Sequence, residues 1–216
     1  MKLIIGNKNY SSWSLRAWLL LRVKNIPFEE ERIVLGQPDT NTLIRRYSPS
    51  GKVPVLIDGN NTVWDTLAIA EYLAERFPQH AFWPTDMPQR TRARSITAEM
   101  HSGFSALRSK MSMNCRASLP GKGATPEAMA DVARIVNIWE SCRSDFGSGG
   151  DFLFGEFCIA DAFYAPVASR FLTYNVPLTD TAKRYVDAIH GLPAMREWTA
   201  AAQAELEHIP AFEPYR

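Results

Sequence analysis

Two dipeptides in segment 51–76 have the residue types and positions to hold a polar ligand. Val53 and Pro54 open a short apolar strand, where proline is tolerated. If the bond between them is cis, the Val53 backbone turns outward and can pair with an extended ligand. Asp65 and Thr66 stand where a helix begins, beside free backbone N–H groups and the positive end of the helix dipole. A plain hairpin followed by a capped helix is the alternative interpretation.

A second group of polar side chains lies near the amino terminus, in the sequence NYSSWS. Apolar residues recur at helical spacing over residues 12–24, so Tyr10, Ser11 and Ser12 are placed at the start of the first helix. A hydroxyl at such a position can donate a hydrogen bond to an anion, and the free backbone N–H groups add their own field. The serines can also serve simply as N-caps, which is the alternative.

The first 78 residues alternate between short apolar runs and helical patterns. Strands that alternate with helices favour an α/β layer with parallel pairs. The sequence DGNN at 58–61 supplies the residues that a tight hairpin needs, so the last two strands are predicted to be antiparallel. The predicted order is β-α-β-α-β-β-α, which is the thioredoxin-like order. The strands are placed at KLIIG, FEEERIVL, 54–57 and 61–64, and the helices at 12–24, 40–47 and 65–77.

The character of the sequence changes after residue 78. The stretch PQHAFWPTDMP holds three prolines and is typical of a linker. Beyond it no segment has a convincing strand pattern, and long helical patterns predict an all-helical bundle. We therefore predict a thioredoxin-like domain over 1–78, a linker over 79–88 and an all-helical domain over 89–216. The predicted helices of the second domain cover 89–115, 127–145, 159–174, 180–190 and 194–207.

Composition narrows the classes of function. A formal net charge of +1 over 216 residues does not indicate the excess of basic residues that is typical of nucleic-acid-binding proteins. The apolar runs are too short for a signal peptide or a membrane span. The three cysteines show no CxxC spacing and the four histidines no HxxxH or HExxH pattern, so no metal site is predicted. We expect reduced thiols, a cytoplasmic location, and neither a nucleic acid nor a membrane as partner.

The arrangement in segment 51–76 resembles the glutathione-binding half of the glutathione transferase family. In that family a valine before a cis-proline makes backbone hydrogen bonds to the cysteinyl unit of glutathione. An acidic residue and a hydroxyl residue at the next helix start hold the γ-glutamyl group. Val53, Pro54, Asp65 and Thr66 match those positions. The usual acid there is Glu, and Asp65 is shorter by one methylene, which changes its reach but not its charge. The resemblance implies glutathione as co-substrate.

The sequence SSWSLRAWLLL resembles the zeta-class pattern of the same family, in which two serines precede a cysteine, another serine and an arginine further on. The catalytic serine of that pair falls on Ser11 and its partner on Ser12. The resemblance implies that Ser11 stabilises the glutathione thiolate, while Ser12 and Tyr10 remain alternative donors. Trp13 replaces the cysteine, which argues against disulfide exchange. Arg16 falls on the arginine of the pattern and supplies positive potential or structure.

The resemblance also assigns the rest of the site. Lys52 is expected to approach the glycine carboxylate of glutathione as a point charge. The second substrate is expected in a cleft between the domains. His101, Phe104, Arg108 and Met111 are spaced by three, four and three residues, which predicts one helix face lining that cleft; simple packing is the alternative. The predicted glutathione-binding residues are Ser12, Trp13, Lys52, Val53, Pro54, Asp65 and Thr66. The predicted electrophile-site residues are Tyr10, His101, Phe104, Arg108 and Met111.

The segment GEFCIADAFYAP, residues 155–166, resembles a family pattern in which a serine or threonine caps a buried helix and an aspartate three residues later returns the bond. Cys158 holds the cap position and Asp161 the acidic position. Because cysteine is a weak hydrogen-bond partner, the first half of this capping box is predicted to be impaired.

Together the motifs predict the glutathione transferase fold, a thioredoxin-like domain followed by an all-helical domain. The expected function is conjugation of the glutathione thiolate to small hydrophobic electrophiles by a homodimer. The alternatives are a glutathione-dependent cis–trans isomerase of the maleylacetoacetate type, or a non-catalytic binding or regulatory protein of the same fold. A thiol-disulfide reductase needs a cysteine at the start of the first helix, and none is there.

Overall fold

The computed structural model describes residues 1–216 and begins with a four-stranded sheet flanked by helices. The elements of this half are β1 (Lys2–Ile5), α1 (Ser12–Val23), β2 (Glu29–Arg32), α2 (Thr40–Arg45), β3 (Val55–Asp58), β4 (Asn61–Trp64) and α3 (Thr66–Arg76). The strands lie in the order β2-β1-β3-β4. β1 and β2 are parallel, and the other two neighbouring pairs are antiparallel. The predicted fold class is confirmed.

The rest of the chain is helical. It contains α4 (Met87–Ser102), α5 (Ser105–Lys110), α6 (Pro126–Phe146), α7 (Ile159–Thr173), α8 (Asp180–Gly191) and α9 (Pro193–Ala204). Prolines in the first turn open α4, α6 and α9, where a missing N–H breaks no helical bond. α7 is buried along almost its whole length and packs against α1, α4 and α8. None of the helices combines the length and the apolar character needed to span a bilayer.

The single helix predicted over residues 89–115 is wrong, because the chain turns within it. α4 ends at Ser102, and a Cβ atom on Gly103 would lie 2.8 Å from the carbonyl oxygen of Glu99. Phe104 has φ of 59°, whereas a helix requires about −63°. The four residues predicted to share one helix face are therefore divided between two helices and their ends: His101, Phe104, Arg108 and Met111.

A cation between two tryptophans holds the loop that leads to α1. The rings of Trp18 and Trp198 meet edge to face with centroids 5.1 Å apart. The Lys8 ammonium lies 5.1 Å and 5.5 Å from these two centroids and pairs with Glu30 at 2.8 Å. Because a cation is attracted to aromatic faces, Lys8 ties the loop both to α1 and to α9. The residues that follow it are thereby fixed against both halves of the molecule.

A buried carboxylate fixes the start of α7. Asp161 is fully buried and accepts hydrogen bonds from the backbone N–H of Leu153 at 3.1 Å and of Cys158 at 2.9 Å. The Tyr185 hydroxyl donates a third bond at 3.0 Å. Burial raises the pKa of Asp161, although the bonds from Cys158 and Leu153 act in the opposite direction. Both halves of the predicted capping box are present, because the Cys158 side chain also accepts from the backbone N–H of Asp161.

Candidate active site

Two cavities adjoin beside the start of α1, and the second extends to the helical half. The first has a volume of about 400 Å³ and the second of about 590 Å³. Trp13, Lys52 and Val53 line both, so the two form one continuous site. Six of the seven residues predicted to bind glutathione line the first cavity: Trp13, Lys52, Val53, Pro54, Asp65 and Thr66. The seventh, Ser12, lines the second.

The backbone before β3 is open to a ligand. The peptide bond between Val53 and Pro54 is cis. Neither the N–H nor the carbonyl oxygen of Val53 forms a hydrogen bond within the chain. The neighbouring Lys52 N–H donates to Ser50 Oγ at 3.2 Å, which holds this segment in place. Because backbone groups need hydrogen-bonding partners, the free groups of Val53 can pair with an extended ligand in the first cavity.

The start of α3 presents a carboxylate and an unpaired hydroxyl. Asp65 is the N-cap, with φ of 73°, and its Oδ1 accepts from the Leu67 N–H at 2.8 Å. Its Oδ2 lies 3.3 Å from His101 Nε2. A non-glycine residue with positive φ is uncommon, and such conformations cluster at functional sites. The Thr66 hydroxyl is buried without a partner. Buried polar groups are normally satisfied, so this hydroxyl is suited to a ligand atom.

The two serines of NYSSWS differ in their contacts. Ser11 is the N-cap of α1: its Oγ accepts from the Ser14 N–H at 3.3 Å and donates to Ser14 Oγ at 2.7 Å. Ser12 is the first residue of the helix, and an N–H of Arg170 points to its Oγ at 3.5 Å. Both serines line the second cavity. A serine hydroxyl rotates to suit its partners, so either can turn its proton towards an anion there.

Arg170 brings a positive charge from α7 to Ser12. The guanidinium is buried and donates to the carbonyl oxygens of Met111 at 2.8 Å and Pro166 at 3.1 Å. Burial and the like charge of Arg108 lower the pKa of Arg170 to about 10, so the group stays charged at neutral pH. No local pattern in the sequence indicates this residue, because its place in the site depends on the packing of α7 against α1.

Trp13 lies against two further guanidinium groups. Arg16 is 4.2 Å and Arg108 is 4.8 Å from the centroid of the Trp13 ring. Arg16 is buried, and its Nε and Nη1 have no hydrogen-bond partner. Burial and the like charges of Arg108 and Arg170 lower the pKa of Arg16 well below its usual range. Arg108 and Arg170 line the second cavity together with the two serines, and their positive charge favours a bound anion there.

His101 lines neither cavity but contacts two residues that line the first. Its ring meets Trp13 edge to face at 5.3 Å, and it contacts the carboxylate of Asp65. Burial lowers the pKa of His101, and Arg16 and Arg108 act in the same direction, whereas Asp65 opposes them. A neutral imidazole that donates from Nε2 leaves Nδ1 as an acceptor, and Nδ1 is buried without a partner. His101 is therefore placed to hold the carboxylate of Asp65 in position.

The other residues predicted for the electrophile site are dispersed. Arg108 and Tyr10 line the second cavity. Phe104 and Met111 are buried in the core and line neither cavity. Further lining residues that the sequence analysis missed are Ser50, Trp64, Ser112, Met113 and Phe212. Residues with metal-binding side chains are not grouped as a metal site requires.

The hydroxyl of Tyr10 is occupied by the protein itself. It donates to Glu213 Oε1 at 2.6 Å and receives an N–H of Arg116 at 2.7 Å. Burial raises the pKa of Tyr10, and the bond to Glu213 raises it further. With its phenol engaged in this way, Tyr10 is less available as a donor to a ligand than the two serines.

The bond from Tyr10 leads to a prediction on acid stability. Burial alone raises the pKa of Glu213, but hydrogen bonds from Tyr10, Arg216 and His208 prevail and lower it from 4.5 to about 2. Because the folded pKa lies below the unfolded one, the stabilisation is complete above pH 4.5 and is lost as the pH falls through about 2. We expect Glu213→Gln to unfold at lower urea concentration than wild type at neutral pH, with the difference shrinking as the pH falls from about 5 to 3. A difference that stays constant over this range would contradict the prediction.

The chain is similar to known proteins over most of its length. The family models described as the N-terminal and C-terminal domains of glutathione S-transferase match residues 10–76 and 122–201. A probable maleylacetoacetate isomerase of Caenorhabditis elegans is 24% identical over 190 residues, which are 85% of this chain and 86% of that protein. A solved glutathione transferase homologue from Burkholderia gl BGR1, with bound glutathione, has a TM-score of 0.69 at 24% identity and covers 94% of this chain and 98% of its own. A solved bacterial zeta-class maleyl pyruvate isomerase has a TM-score of 0.72 at 23% identity, and the match covers 95% of this chain and 99% of that one.

Proposed function

The chain belongs to the glutathione S-transferase family, and from that premise we propose that it conjugates the glutathione thiolate to small hydrophobic electrophiles. One observation carries the proposal. A single cavity brings together the unpaired backbone of Val53, the carboxylate of Asp65 and the unpaired hydroxyl of Thr66. The adjoining cavity, which shares Trp13, Lys52 and Val53 with it, is lined by Ser11 and Ser12 at the start of α1.

Each part of glutathione meets complementary groups in this site. The α-ammonium of the γ-glutamyl unit pairs with Asp65, and its carboxylate accepts from the Thr66 hydroxyl. The cysteinyl backbone pairs with the free groups of Val53, and Lys52 faces the glycine carboxylate. In this orientation the sulfur points to the start of α1. The solved homologue from Burkholderia, which holds glutathione, supports glutathione as the ligand.

The site supplies what a thiolate nucleophile needs. A free thiol has a pKa of about 8.5, and only the thiolate reacts. A hydroxyl donor from Ser11, the N–H groups of α1 and the buried charge of Arg170 all favour the anion. The thiol proton leaves to solvent, the sulfur forms a bond to the electrophilic carbon, and the leaving group departs with its electron pair. Binding both reactants in adjoining cavities makes the step effectively intramolecular.

Asp65→Ala tests the proposed binding mode. We expect the dissociation constant of glutathione to rise about 10-fold to 100-fold, because an ion pair with the ligand ammonium is lost. The matched control is Asp86→Ala, which also removes an exposed N-cap aspartate that accepts a backbone N–H, at the start of α4. Titration calorimetry with glutathione measures both variants. An affinity unchanged by Asp65→Ala, or a wild-type protein that does not bind glutathione, would refute the proposal.

A second candidate function is glutathione-dependent cis–trans isomerisation of a diacid. The specific observation in its favour is that Arg108 and Arg170 line the second cavity, since guanidinium groups match carboxylates. Relatives named as isomerases point the same way. The two reactions differ in what they consume: conjugation removes one thiol for each acceptor, whereas isomerisation returns glutathione unchanged. Thiol counting during turnover of a cis-diacid substrate therefore separates them. Binding of glutathione without turnover of any acceptor is the result expected of a non-catalytic member.

We also expect a homodimer, since two-fold pairing is the commonest oligomer. A molar mass of about 49 kDa by light scattering would agree, because one chain has 24.3 kDa.

A further inference from the structure

The residues after α9 run back across the start of the chain. We call residues 205–216 the C-terminal strap. Glu205 accepts hydrogen bonds from the backbone N–H groups of Lys8 at 2.7 Å and Asn9 at 3.1 Å. Glu207 pairs with Arg32 at 2.8 Å. The strap is therefore attached to the loop that immediately precedes Ser11 and Ser12.

A second attachment lies at Glu213, near the far end of the strap. Its carboxylate accepts from the Tyr10 hydroxyl at 2.6 Å, from Asn114 at 3.3 Å and from Arg216 at 3.1 Å. The side chain is only 7% exposed. Charge-assisted bonds of this kind are stronger than neutral ones. Because Tyr10 adjoins Ser11 in the chain, the position of the strap is coupled to the start of α1.

The two attachments place Phe212 in the wall of the second cavity. Its carbonyl oxygen accepts from Ser112 Oγ at 2.9 Å, and its ring lies 5.7 Å from the ring of Tyr10. The side chain is 36% exposed and lies outside the apolar core. Phe212 lines the same cavity as Ser12 and Arg108. It is thus a large apolar surface left open beside the predicted position of the sulfur.

We propose that Phe212 is a specificity-determining residue of the acceptor site, and that the strap holds its ring as the surface on which a flat apolar acceptor stacks. The inference rests on the proposed function and deepens it by naming the class of acceptor. Ser12, Arg108 and Arg170 make part of this cavity polar or charged, and Tyr10, Trp13 and Met113 belong to the same lining. Phe212 is the only large hydrophobic side chain of the lining that is exposed. An aryl acceptor therefore gains stacking contact from this ring, whereas a small aliphatic acceptor does not need it.

The test compares two electrophiles on Phe212→Ala. For 1-chloro-2,4-dinitrobenzene the sulfur bonds to the aromatic carbon and chloride leaves; for iodoacetamide the sulfur bonds to the methylene carbon and iodide leaves. We expect kcat/KM for the aryl chloride to fall about tenfold, and that for iodoacetamide to change less than about twofold. The KM for glutathione should not change. Phe212→Tyr, which keeps the ring, should retain the selectivity of the wild type.

Two further variants complete the test. Leu206→Ala removes a side chain on the same strap that is 88% exposed, and it should behave as wild type. Glu213→Gln weakens the attachment and should lower the aryl selectivity in the same direction as Phe212→Ala. Equal loss for both acceptors in Phe212→Ala, or no loss, overturns the inference while conjugation by the wild type still stands. A wild-type protein that binds no glutathione overturns the proposed function instead.

Discussion

Replacing Ser11 by alanine should raise the pKa of the thiol of bound glutathione by about one to two units, or about 1.4–2.7 kcal/mol of lost thiolate stabilisation. Ser11 is the N-cap of α1, so a sulfur that reaches its hydroxyl also lies near the unpaired N–H of Trp13 in the first turn. The Ser11 hydroxyl donates its hydrogen bond to Ser14 Oγ. It can rotate to donate to the sulfur when glutathione binds. Ultraviolet titration of the bound thiolate measures the change directly.

The cap itself must be separated from the donor. Ser11 Oγ accepts from the Ser14 N–H, so Ser11→Ala also loses a cap worth about 1 kcal/mol of stability. Replacing an N-cap serine by glycine costs only a few tenths of a kcal/mol of stability. Ser11→Gly therefore removes the hydroxyl with little loss of stability, and it should raise the thiol pKa as much as Ser11→Ala does. Equal effects of the two variants on the thiol pKa would assign the change to the missing donor.

Ser12→Ala and Tyr10→Phe are the competing variants. The hydroxyl of Ser12 lies next to the guanidinium of Arg170. The hydroxyl of Tyr10 is hydrogen-bonded to Glu213 and Arg116. We expect both variants to leave the thiol pKa closer to wild type than Ser11→Ala does. A larger rise in Ser12→Ala than in Ser11→Ala would move the donor role to Ser12.

The order of elements in the first half could be predicted because each signal is local. The sequence DGNN allows only a tight hairpin between β3 and β4, and apolar spacing defines α1 and α3. The break after α4 was missed because Gly103 is a single glycine within a helical pattern. The break consists of an extended Gly103 followed by a positive φ at Phe104, and these conformations are set by the folded chain.

The candidate site divides in the same way. Val53, Asp65 and Thr66 lie within one short segment, and its local sequence predicts both the turn and the helix start. The three residues line one cavity. Arg170 and Phe212 lie far along the chain and line the adjoining cavity. Arg170 reaches it by the packing of α7 on α1, and Phe212 by the attachment of the strap to Tyr10. Neither contact leaves a spacing that sequence analysis can detect.

The largest loss of stability is expected from Asp161→Ala. The variant leaves three buried donors without an acceptor: the N–H groups of Leu153 and Cys158 and the hydroxyl of Tyr185. Each unsatisfied buried donor costs about 1–3 kcal/mol. We expect the free energy of unfolding to fall by about 3–5 kcal/mol and Tm by about 10 °C or more. Urea unfolding and calorimetry measure these values.

Asp180→Ala is the matched control, since Asp180 also stands in the first turn of a helix, α8, but is exposed. It should cost at most about 1 kcal/mol, the usual value of a charge near a helix start. Because α7 carries Arg170 into the site, Asp161→Ala should also weaken thiolate stabilisation at temperatures where the variant is still folded. A stability loss no greater than that of Asp180→Ala would show that the buried bonds of Asp161 do not hold α7 in place.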